Sequence, residues 1–153
     1  MRLLAPLILA TSGLVYAGAA HAAQAAEPGK DVGLVIEDVD AAAHACGVST
    51  AQVREAAAAV IAAAGWSVRE GASDYLYVNV NVIYGPKHAT CAFNISAGIA
   101  RSMLTGYGRH VLGFTRRGGS DGKISSNEAA RSILDRQQDV LKQLLAQDDA
   151  ERS

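Results

Sequence analysis

Two cysteines and two histidines are the residues best placed to do chemistry. They stand close together in the chain, as His44-Ala45-Cys46 and His88-Ala89-Thr90-Cys91. In an oxidising compartment, two cysteines with no third read as one disulfide. A Cys46–Cys91 bridge closes a loop from position 46 through position 91, and the chain-entropy model assigns a loop of that length about 4 kcal/mol. The same four residues also define an alternative. With reduced sulfurs, His44, Cys46, His88 and Cys91 supply two imidazoles and two thiolates, a donor set suited to zinc or copper. His-x-Cys is an unusual ligand spacing, and an oxidising compartment consumes thiolates. The expectation is therefore a bridge and no cofactor.

A second pattern points to recognition rather than reaction. In the run from Tyr75 to Tyr84, Leu76, Val78, Val80 and Val82 alternate with Tyr75, Tyr77, Asn79, Asn81 and Ile83. Alternation with period two sends the first set to a core and the second to the opposite face. Tyrosine combines contact area with a hydrogen bond at low entropic cost. Tyr75, Tyr77, Asn79 and Asn81 are thus candidate binding residues, for another envelope protein or a small ligand.

Weaker patterns exist. Ser120 to Glu128 matches the second half of a calcium-binding loop, but the first and third ligand positions fall on Arg117 and Gly119, which cannot serve. A Gly-rich turn leading into a helix explains the same residues. Gly118-Gly119 with Arg116 and Arg117 could cradle an anion at a helix start. His110 could pair with a carboxylate, though no spacing supports it. Glu37, Asp38 and Asp40 read as a solvated strand end. The chain has no Gly-x-Ser-x-Gly, His-Glu-x-x-His or P-loop motif. The expectation is a non-enzymatic protein. The alternatives are the His/Cys metal or redox protein and a small hydrolase or lyase with an unrecognised site.

These residues need elements to hold them. Val32–Val39 reads as a strand and 40–47 as one helical turn or a tight loop. Ser49 with Gln52 fits a capping box, and Val53, Ala57, Val60, Ile61 and Ala64 recur at helical spacing before Gly65. Cys91 to Met103 alternates as a strand, and Arg109 to Arg116 reads as another, followed by a Gly-rich loop over 117–123. A last helix is expected from Ser125, capped with Glu128, its stripe made by Ile133, Val140, Leu141 and Leu144. Consecutive strands with short turns favour an antiparallel meander. The expected fold class is α+β: a two-layer sandwich, a mainly antiparallel sheet of four to five strands with two helices packed on one face. In fold-level terms that order is similar to small accessory domains of bacterial envelopes.

The chain start reads as an address. Met1-Arg2, an apolar run from Leu3 to Ala20 and then Ala20-His21-Ala22 make a secretory signal peptide over 1–22, cut after Ala22. The expected organisation continues with a linker over 23–31, one domain over 32–146 and a polar tail over 147–153. Localisation is expected to be periplasmic or secreted, with no transmembrane segment after signal removal. The 153 residues are 50% apolar and 19% charged, with a formal charge of -1. That composition excludes a disordered chain. It also gives no electrostatic drive toward nucleic acid.

Overall fold

Strand order in the sheet follows from where the helices return the chain. A computed structural model describes residues 30–108 and 110–152, without the side chain of His110. The expected signal peptide, its cleavage site and most of the linker lie outside these residues. The elements are β1 (Asp31–Ile36), α1 (Ala41–Ala45), α2 (Thr50–Ala63), β2 (Ser67–Val68), β3 (Asp74–Gly85), β4 (Thr90–Leu104), β5 (His110–Ser125) and α3 (Ala129–Arg152). The sheet runs β2-β1-β3-β4-β5. β3, β4 and β5 form the antiparallel meander. β1 pairs in parallel with both β2 and β3, because α1 and α2 carry the chain back before the next strand begins. The expected two-layer α+β sandwich is the architecture observed.

Local signals account for α2. Ser49 Oγ accepts from the Gln52 amide at 3.3 Å, and Gln52 Oε1 accepts from the Ser49 amide at 2.9 Å, so two free donors of the first turn are satisfied. Gly65, at φ +78°, ends the helix. Its amide donates to Ala62 and that of Trp66 to Ile61, each at 3.0 Å, which pairs carbonyls the helix leaves free.

One core lies between the sheet and the helices. Leu76, Val78, Val80 and Val82 of β3 and Cys91, Phe93, Ile95, Ala97 and Ile99 of β4 meet Val53 and Ile61 of α2 and Ile133, Leu141 and Leu144 of α3. Each fully buried Leu, Ile or Val contributes about 1.5–3 kcal/mol. Gln137 is buried among them, and its amide donates to the Val53 carbonyl at 2.8 Å, tying α3 to α2.

Three expectations need correction. The Gly-rich stretch 117–123 is strand, since β5 pairs with β4 from Leu104↔His110 to Thr90↔Ser125. Glycine weakens a strand unless something approaches closely. A Cβ on Gly122 would meet the Phe93 ring at 2.7 Å, and one on Gly118 would touch Val140 of α3 at 3.4 Å. The glycines therefore admit a cross-strand aromatic and a close helix. Ser120 to Ser125 of the partial calcium-loop match belong to this strand, and only 126–128 form a turn before the helix. Second, α3 starts at Ala129 rather than Ser125, because Ser125 is held in the ladder opposite Thr90. Third, α3 continues through Arg152, so most of the expected polar tail is helix. Asp148 is fully buried there and accepts from Arg101 at 2.6 Å.

Candidate functional site

The sheet face away from the helices carries an ordered polar and aromatic array. Its β1 column is Gly33, Val35 and Glu37, where parity continues one residue past the strand. The Glu37 amide donates to the Val78 carbonyl at 3.1 Å, which holds that residue beside β3. Its carboxylate then accepts from two neighbours, the Tyr77 hydroxyl on one oxygen and the Asn79 amide on the other. Asn81 Nδ2 donates on to Asn79 Oδ1 at 2.7 Å. Three side chains of one strand are thus oriented by one carboxylate.

Aromatic contacts extend the array toward β5. Phe114 meets the Tyr77 ring edge to face, with centroids 5.8 Å apart and planes at 71°. The Arg117 guanidinium lies 4.4 Å above the Phe114 ring, within cation–π range. A register shift at Ile99/Ala100 places both side chains on this face. Gly98 lies opposite Tyr77 in the ladder and makes the arrangement possible, since a Cβ there would meet Phe114 at 2.7 Å and the Arg116 carbonyl at 2.8 Å. The result is a groove of about 420 Å³ lined by Tyr77, Ser96, Gly98, Phe114 and Arg117.

Electrostatics decide what such a face can do. The hydrogen bond to Glu37 is the main cause that pushes the Tyr77 phenol above its ordinary pKa. Tyr77 therefore stays protonated at neutral pH, as a donor and not a base. The groove offers a cation, two rings and polar donors and acceptors, the equipment of recognition.

Of the four candidate binding residues, Tyr77, Asn79 and Asn81 join this array. Tyr75 lies on the same face, but its ring packs over Gly33, where a Cβ would come within 2.6 Å. It covers a bare backbone instead of lining the groove. By sequence Glu37 reads only as part of a solvated strand end. Its role depends on a parallel pairing of β1 and β3 that no local signal announces. Asp40 of the same acidic group caps α1, accepting from the Ala43 amide at 2.9 Å. By sequence Phe114 reads as strand and Arg117 as loop, and no local signal brings them together.

Cys46 and Cys91 form a disulfide with Cα atoms 6.2 Å apart, both cysteines buried. Neither sulfur is then a thiolate. His44 and His88 are exposed, and no group of three or more His, Cys, Asp or Glu residues that could hold a metal occurs among the described residues. The alternative metal set is therefore not assembled. Gly118-Gly119 and the two arginines precede no helix start and so do not form the anion cradle.

No protein-family model and no curated protein sequence matches the chain. Solved structures match it only at low identity. A PelC dodecamer from Paraburkholderia phytofirmans matches at 12% identity and a TM-score of 0.45, covering 76% of this chain and 86% of that one. A minor lipoprotein from Acinetobacter baumannii matches at 14% identity and a TM-score of 0.26, covering 77% and 87%. Neither likeness carries a function to this chain. Among the described residues, no helix is long and apolar enough to cross a membrane.

Proposed function

We propose that the chain is an exported, non-enzymatic binding protein of the cell envelope that engages a partner through the open face of its sheet. The observation that carries this reading is the preset array of Glu37, Tyr77 and Asn79 beside the groove of Phe114 and Arg117. Side chains held by one another lose less freedom on binding, which favours association. Tyr and Arg are also the types that dominate binding energy at interfaces. Export is supported by the basic, apolar and small-residue order of the first 22 positions. The Cys46–Cys91 bridge fits the same compartment.

The test is site-specific photocrosslinking in intact envelopes. A photoreactive residue at Ser96, in the groove, should capture a discrete partner. The same residue at Asp135, on the exposed side of α3, should not. Adding Tyr77→Ala to the Ser96 probe should remove the adduct. Equal capture at both positions, or capture that survives Tyr77→Ala, overturns the reading.

A further inference from the structure

The β4–β5 ribbon outruns the sheet. β3 pairs with β4 only as far as Asp74↔Arg101, while β4 and β5 continue together to Leu104↔His110. The projecting end carries Met103, Leu104, Tyr107, Val111 and Leu112, all exposed, with Tyr107 95% so. Strand alternation distributes them over both sides. Leu104 and Leu112 share the side of Phe114. Met103 and Val111, opposite one another in the ladder, occupy the other. Gly113 leaves room for Met103, whose Cε would lie 1.9 Å from a Cβ at that position.

A ribbon that docks on another protein needs one apolar side. Two apolar sides suit a medium that surrounds it. Charge narrows the choice of medium. From 75 to 120 the chain contains five basic residues, Lys87, Arg101, Arg109, Arg116 and Arg117, and no Asp or Glu, so all 15 acidic residues lie elsewhere. Arg101 is engaged by Asp74 and Asp148, and Arg116 by Glu151. In the sequence, Arg109 stands two positions after Tyr107 and adds a cation to this stretch.

We propose that the end of the β4–β5 ribbon inserts into the headgroup region of an anionic lipid bilayer. Tyr107 at the turn then sits where amphipathic rings favour the membrane–water boundary. Insertion is shallow. The outer N–H and C=O groups of a two-stranded ribbon have no partner in hydrocarbon and need water or headgroups. A basic residue near the surface adds roughly fivefold in affinity for anionic lipid. The proposal stands apart from the open-face partner, whose groove lies farther along the sheet.

The indole introduced by Tyr107→Trp reports the ribbon directly, because Trp66 is buried and gives a constant background. Full-length protein is mixed with phosphatidylcholine vesicles, with and without phosphatidylglycerol. The expected result is a blue shift with phosphatidylglycerol and quenching by lipids brominated near the acyl carbonyl. Binding should be at least several-fold weaker with phosphatidylcholine alone. In the same background, Leu104→Ser with Leu112→Ser should lower the indole-reported binding at least tenfold. An emission spectrum unchanged by vesicles overturns the proposal, even if the protein sediments with them through another segment. So does a shift that follows protein concentration without lipid, which makes a second copy the occupant.

Discussion

Strand β3 carries a carboxylate network on each of its faces, and the two behave differently. On the covered side Asp74 accepts from Arg101 at 3.0 Å and Arg152 at 2.5 Å, and Arg101 and Arg152 both reach the fully buried Asp148 of α3. On the open side Glu37 accepts from Tyr77 and Asn79 in contact with water. Removing a partner in the first case strands a charge away from solvent. In the second case water replaces it. One network fastens the last turns of α3 to the sheet. The other orients side chains at little cost in stability.

Breaking the covered side should produce the largest effects. Cys46→Ala together with Cys91→Ala should cost about 4 kcal/mol in urea unfolding. A double variant as stable as the parent under non-reducing conditions would show that the bridge contributes nothing. Arg101→Ala should cost about 3 kcal/mol by the same assay, because Asp148 loses a partner inside the protein. Retention of full stability would mean that the end of α3 is not fastened there.

Acid should test the same network. Burial disfavours the charged form of Asp74, but hydrogen bonds from Arg101 and Arg152 outweigh it and hold the carboxyl below its ordinary pKa. A group with a depressed folded pKa stabilises above its unfolded value, about 3.9 for Asp, and loses that contribution as pH falls through the folded value. Thermal melts should therefore fall below about pH 4 in the parent. Asp74→Asn should start lower and show a shallower acid slope. Parallel slopes would remove Asp74 from the account.

The open side should answer with smaller changes. Gly98→Val should cost about 1–3 kcal/mol through overpacking against Phe114, and should close the groove. Tyr77→Ala should cost about 1 kcal/mol or less while abolishing partner capture, since the side chain gives up one edge contact and one solvated hydrogen bond. A melting shift as large as that of Arg101→Ala would make the two faces alike. The smallest signal is spectroscopic. Tyr77 should ionise above the ordinary range, and Glu37→Gln should bring it back down, read by phenolate absorbance. An unmoved titration would remove Glu37 as the cause.

Much of the fold was legible because its signals are local. The capping box at Ser49, the glycine stop at Gly65 and the period-two run from Leu76 to Val82 each act within a few residues. The misreadings share one cause. Gly118, Gly119 and Gly122 have poor strand propensity, and only the long partner β4, the Phe93 ring and α3 keep them extended. The tail after Ala146 is polar, yet it stays helical where Asp148 finds Arg101, 47 positions earlier.

Residue type and spacing alone determined which side of β3 faces the core, which cysteines could pair and where α2 begins and ends. Each of those depends on backbone geometry or composition that a short window contains. Tertiary structure decided the rest. Glu37 reaches Tyr77 only because α1 and α2 return the chain so that β1 lies parallel to β3. Arg117 reaches Phe114 only because the ladder shifts register at Ile99/Ala100. Those contacts join residues through pairing choices that hydrophobic alternation leaves open, since alternation names the face of a strand and not its neighbour.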